Sequence, residues 1–365
     1  GVADWDGARW TPLSGGGVEG SVRGMKVVDD GSGDALYAAG LFSKAGGVAA
    51  KSVARWDGEA WSPLGTGLNS YGAAIELFDD GDGPAIYVGG AFSTAGGQIA
   101  RKVARWDGEN WSALGEGLDN EVVALLAFDD GSGPSLFAAG QFLNAGGASA
   151  SRVARWNGAA WHPLGDGLPG TVYALEEFDD GTGPALIAGG NFLGFVSKWD
   201  GENWTTLGEG LNGRVYDLAV VDDGAGPTLY AVGAFNQIGD EPAARVARWD
   251  GAQWRPATHG VQSGAALAIA QWDHGDDPGI VVGGTFATAG QVTSANFAEW
   301  RGCEPPPCPA DLDGDGFVGF ADLNIIISAF NTGGVDLPGD VDGDGDVDFA
   351  DLNAVVSLFT SPCGG

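Results

Sequence analysis

One short pattern, Trp-Asp-Gly-x-x-Trp, returns about every fifty residues and restricts the folds open to this chain more than any other feature. Trp56-Asp57-Gly58-Glu59-Ala60-Trp61 recurs at Trp106 to Trp111, Trp199 to Trp204 and Trp249 to Trp254, and with Asn157 in place of Asp at Trp156 to Trp161. Another copy begins at Trp5 and a broken one at Trp300. The leading tryptophans at 5, 56, 106, 156, 199, 249 and 300 are 50 or 51 residues apart, with one shorter step after 156. Self-similarity at such a period marks a repeat architecture, in which each unit buries its apolar faces on its neighbours.

Each unit reads as four short strands. In the third, Val122 to Phe128 is apolar throughout, as a strand buried on both faces should be. The turn Asp129-Asp130-Gly131-Ser132-Gly133-Pro134 leads to a second strand, Ser135 to Gly140, and a loop through Ala145-Gly146-Gly147 to a third, Val153 to Trp156. Asn157-Gly158 then turns the chain into Trp161 to Leu164, because such dipeptides accept the positive φ of a tight hairpin. With 66 Gly, 17 Pro and only 18% charged residues, and with 14 Trp and 17 Phe to bury, the composition suits a turn-rich β protein.

Four strands per fifty residues predict propeller blades, six in number, over residues 1–302. The last unit lacks a fourth strand, and the N-terminus opens on a hairpin that lacks its inner strands. Residues 8–14 are therefore expected to supply the outer strand of the sixth blade and close the ring. The diglycines ending the second strand (Gly89-Gly90, Gly189-Gly190, Gly283-Gly284), followed by paired aromatics, resemble the kelch repeats of galactose-oxidase-like propellers. The likeness covers residues 1–302 and implies a kelch-like architecture.

Beyond Trp300 the character changes. Glu304-Pro305-Pro306-Pro307 reads as a stiff spacer, placed at 303–309. Within 310–365, Asp311, Asp313, Asp315 and Asp322 take loop positions 1, 3, 5 and 12 of an EF-hand ligand set, with Gly316 at 6 and Phe317 offering its carbonyl at 7. Asp340, Asp342, Asp344 and Asp351 repeat it, with Asp346 at 7 and Asp348 at 9. Two calcium ions are the expected cofactors, since alternating carboxylates on a tight loop suit a hard cation.

Each loop runs into one helical stretch, and the pair resembles a type I dockerin over residues 309–360. That resemblance implies a protein partner, a cohesin-like receptor or a second copy of the chain. It also implies a contact surface at loop positions 10 and 11 and along the helices: Phe320, Ala321, Ile327, Phe349, Ala350 and Val356. The ends of a dockerin lie close together, so Cys308 and Cys363, which bracket the module, are expected to form a disulfide, leaving Cys303 over.

The net charge of −32 repels nucleic-acid phosphates and anionic membranes, and residues 303–365 contribute twelve acids and no Lys or Arg. No apolar run reaches the ~20 residues of a membrane span. No signal-peptide pattern is present, so a processed, secreted or cell-surface form is expected. Asn110 and Asn203 match the glycosylation sequon.

The repeated Asp-Asp-Gly turns and Arg55, Arg105, Arg155 and Arg248 read as structural, as do the tryptophan pairs. His162, His259 and His274 fall in separate units, and the ring has no Cys for a cross-linked Tyr-Cys cofactor. An active site should break the repeat. The breaks at 191–196, 236–242 and 271–278 gather no acid, base and nucleophile. The expectation is therefore a non-catalytic assembly protein, with a lectin or a glycoside-active propeller as the alternatives.

Overall fold

A computed structural model describes residues 1–31, 33–208, 210–222, 226–257, 260–273, 278–290, 292–294, 296–301, 310, 312, 318–333, 339–341 and 346–358. The chain divides into two compact units, Gly1–Glu299 and Trp300–Gly365.

The first unit is all β. Its second sheet is typical: Gly72–Asp79, Pro84–Gly90, Val103–Trp106 and Trp111–Ala113 pair antiparallel in chain order. The third, fourth and fifth sheets repeat this, and the first adds a short fifth strand. The first strands of successive sheets pack on one another: Val18–Asp29, Gly72–Asp79, Val122–Phe128, Thr171–Asp179, Val215–Asp222 and Ala266–Asp273. This is a propeller-like arrangement of twisted sheets side by side. The Ala-Gly-Gly loop of the third sheet is itself a small hairpin, Asn144–Ala145 against Ala148–Ser149.

The core lies between sheets. One cluster joins Phe78 and Tyr87 of the second sheet to Val122, Leu136 and Trp156 of the third. The tryptophan repeat adds a latch at each boundary. Trp111, Trp161, Trp204 and Trp254 donate their indole N–H to Leu64, Leu114, Leu164 and Leu207 carbonyls of the preceding unit, at 2.8–3.2 Å.

The charged repeats are also internal. Asp79, Asp129 and Asp179 each accept two backbone N–H groups of their own turn. The second aspartate of the turn pairs with the basic residue of the third strand, Asp30 with Arg55 and Asp130 with Arg155. A cleft of about 530 Å³ between the third and fourth sheets is bordered by this last pair.

The N-terminal hairpin departs from expectation. Trp10–Pro12 pairs with Ala3–Trp5 as a separate two-stranded sheet, and the sixth sheet has three strands. The ladder for Trp10–Pro12 is supplied by its own hairpin partner. The hairpin meets the last strand through side chains instead: Trp5 and Trp10 meet Phe297 edge-on at 5.4 and 4.9 Å, and Trp5 Nε1 donates to Glu299 at 3.2 Å.

Among the described residues of the second unit are two helices, α1 (Phe320–Ala329) and α2 (Phe349–Leu358). They share a core of Ala310, Val318, Ile326, Val347 and Val355. An isolated bridge between Gly333 and Asp346 links the two halves.

Candidate functional site

The first strands carry a charge cluster within a framework of small and apolar residues. One position recurs in each, identified by its cross-strand partner: Lys26 faces Tyr37, Glu76 faces Tyr87 and Glu176 faces Ile187. The same position holds Leu126, Ala219 and Ala270 in the other sheets. Two residues earlier in register the sheets carry Gly24, Ala74, Ala124, Ala174 and Ala268, and the fifth carries Asp217.

Lys26 and Glu76 form an ion pair between the first and second sheets, with Glu76 almost wholly buried. Burial raises the Glu76 carboxyl, and the ammonium offsets part of that rise. Among the described residues Glu176 has no such salt bridge. Burial pushes it up to about 7; the N–H of Glu177 and the distant Lys26 pull it down, while Asp217 pushes it further up. Lys26 belongs to the first sheet and Glu176 to the fourth.

Asp217 is raised by burial to about 6, against two hydrogen bonds that favour its charged form. Its Oδ2 accepts from Ile269 N of the sixth sheet at 2.9 Å, and Oδ1 from Leu218 N at 3.0 Å. Both carboxyls are thereby raised towards neutrality, the range in which acid–base chemistry works.

Closer to the strand starts, Arg23 lies 4.0 Å over the ring of Tyr71, whose hydroxyl donates to Glu121 at 2.8 Å. The rings of Tyr173 and Tyr216 sit 5.4 Å apart, tilted by 54°.

In the C-terminal unit Asp322 and Asp351 are each 1% exposed and close their loops in the same way. Asp322 accepts from Leu312 N at 2.6 Å and Gly319 N at 2.7 Å; Asp351 accepts from Val341 N at 2.6 Å and Asp348 N at 2.8 Å. These buried carboxylates tie position 12 back to positions 2 and 9 of each loop. Asp340 is partly exposed, and Asp346 and Asp348 are exposed. Asp311, Asp313, Asp315, Phe317, Asp342 and Asp344 lie outside the described residues, as do Cys303, Cys308 and Cys363.

Phe320, Ile327, Phe349 and Val356 are exposed on the two helices, as is Ala350, and Phe349 meets Phe330 edge-on at 5.0 Å. The side chain of Ala321 is not described. Asn110 and Asn203 lie exposed on Asp-Gly turns, their backbone N–H groups bound by Asp107 and Asp200.

No protein-family model matches the chain, and no curated protein matches it. Among solved structures it is similar to an ancestral GH74 enzyme (18% identity, TM-score 0.49), covering 74% of this chain and 36% of that one. It is also similar to the GH74 xyloglucanase from Xanthomonas campestris, with 16% identity, TM-score 0.42 and coverage of 80% and 45%. A GH74 enzyme from Niastella koreensis gives 14%, 0.38, 72% and 42%. The chain therefore spans less than half the length of these enzymes. At this level the likeness concerns the course of the chain, and no residue or substrate is carried over.

The expectation of a non-catalytic assembly protein is corrected. The solved structures it resembles are enzymes. Lys26, Glu76, Glu176 and Asp217 stand inside the first strands, away from the breaks of the repeat at 191–196, 236–242 and 271–278. Their signal was available: ionisable side chains at positions that the other sheets fill with Leu, Ala or Gly.

Proposed function

We propose that the first unit is a six-bladed propeller whose central channel carries an acid–base site acting on glycosidic bonds. The observation that carries the reading is the pair Glu176 and Asp217, partly buried on neighbouring first strands and both raised towards neutrality. In its protonated form Glu176 gives its proton to the leaving glycosidic oxygen. The Asp217 carboxylate balances the developing positive charge on the sugar or takes the proton of an attacking water. The tyrosines beside this pair suit a sugar ring, with apolar faces and polar edges.

The Lys26–Glu76 pair has a different part. Its charges are satisfied by each other, and Lys26 restrains the Glu176 pKa from across the channel.

The test is hydrolysis of a panel of neutral and acidic polysaccharides by the full chain, followed by reducing ends. Glu176→Gln and Asp217→Asn should each lower turnover by about 10²–10⁴-fold. Turnover that survives both substitutions removes the reading.

For the second unit we propose a duplicated calcium loop–helix module that tethers this enzyme to a protein partner outside the cell. Support comes from the acid spacing and from the buried closing carboxylates Asp322 and Asp351. The other oxygens would come from Asp311, Asp313, Asp315, Asp340, Asp342 and Asp344, with the Phe317 and Asp346 carbonyls. Calcium calorimetry on the chain and on Asp322→Asn tests it: two sites are expected in the first and one in the second.

A further inference from the structure

We propose that Tyr173 and Tyr216 form the sugar-stacking platform of the channel and select a neutral glycan; this deepens the acid–base reading and rests on it. Every first strand breaks register at the same place: between Val22 and Gly24, Gly72 and Ala74, Val122 and Ala124, Val172 and Ala174, Val215 and Asp217, and Ala266 and Ala268; the first sheet has a further shift between Val18 and Gly20. The residues skipped are Arg23, Ala73, Val123, Tyr173, Tyr216 and Leu267. A bulge leaves its extra residue unpaired and re-aims its side chain, and bulges recur beside active sites.

The repeat protects this feature from the facing strand. A Cβ on Gly140 would lie 2.2 Å from Glu121 O, and one on Gly233 would lie 1.9 Å from Arg214 O. Only glycine leaves room for the bulged backbone at these places.

The six bulges are not equivalent. Towards the first three sheets the polar groups already have partners. Arg23 covers Tyr71, the Tyr71 hydroxyl is held by Glu121, Gln141 donates to Glu121 at 3.1 Å, and Lys26 is paired with Glu76. The fourth and fifth sheets present the opposite case. Among the described residues the rings of Tyr173 and Tyr216 meet only each other, tilted by 54°, and neither hydroxyl has a hydrogen-bond partner.

The acid pair shares the same two strands. Glu176 comes three residues after Tyr173, and Asp217 directly follows Tyr216. Aromatic faces and acid–base groups are thus delivered together on neighbouring first strands. A neutral sugar suits them, because Asp217 and ionised Glu176 repel a carboxylated one. Arg214, exposed just before the fifth first strand, is the cation that could reverse this preference, so a uronate polymer is the competing ligand.

The experiment measures affinity electrophoresis and steady-state kinetics on the full chain with glucomannan, hydroxyethylcellulose and polygalacturonate. Tyr173→Ala and Tyr216→Ala should each weaken binding of the neutral polymers by about tenfold or more, with KM rising further than kcat falls. Tyr173→Phe and Tyr216→Phe keep the ring face and should bind within about threefold of the parent, and melting temperatures confirm that every variant folds. Alanine variants that bind as the parent does overturn the platform, as does preference for polygalacturonate or binding to none of the three. Ring-dependent binding without any turnover upholds the platform and removes the acid–base reading alone.

Discussion

Lys26, on the first strand of the first sheet, lowers the pKa of Glu176 on the first strand of the fourth. These groups are 150 residues apart in sequence and occupy the same register position on their first strands. Lys26→Met removes this restraint. Glu176 should then hold its proton to higher pH, moving the alkaline limb of the rate profile up by about half a pH unit. The pH–rate profile of the variant measures it; an unmoved limb shows that the two strands do not face a common channel.

Stability should also depend on this pair. Glu176 and Asp217 are raised to about 7 and 6, well above their ordinary values. The folded state therefore keeps protons that the unfolded chain has released. The stabilisation is full below about pH 4 and is lost as pH rises through 6 and 7. It is worth at most about 3 kcal/mol for each group. Melting temperature should fall across that window in the parent, and the slope should flatten in Glu176→Gln, Asp217→Asn.

At the acid end the sign reverses. Asp180 is held below the usual range by Lys198, 2.6 Å away, and by Thr182. Its contribution is present above the ordinary carboxylate range and disappears as pH falls below it. Lys198→Met should therefore make the chain less stable at pH 6 and leave it little changed at pH 2.5, as read by thermal melts.

The indole latches give a prediction free of titration. Trp161→Phe keeps an aromatic ring but leaves the Leu114 carbonyl without its donor, at a cost of about 1–2 kcal/mol. Differential scanning calorimetry should show a lower melting temperature, by about 2–4 °C for each kcal/mol. Trp10→Phe, on an exposed ring, should cost less.

Much of the fold was legible because its determinants are local and repeated. The strands read at Val122 to Phe128, Ser135 to Gly140 and Val153 to Trp156 match the observed ones, since apolar runs between Asp-Gly turns leave few alternatives. The end hairpin was not legible: whether Trp10–Pro12 joins the last sheet or its own partner is decided by distant packing on Phe297. Lys26, Glu76, Glu176 and Asp217 were missed for a related reason. Each looks like one charge in an apolar strand, and it becomes a cluster only when separate strands are brought side by side. The bulges at Tyr173 and Tyr216 leave no mark of their own in the first strand; their trace is the glycine opposite.

The most direct test of the central claim is the pH–rate profile of the full chain on glucomannan. Asp217 must be ionised and Glu176 protonated, so the account predicts a bell with its maximum between about pH 6 and 7 and loss of turnover in Glu176→Gln. A rate that is flat across pH 5 to 8, or unchanged in that variant, would contradict it.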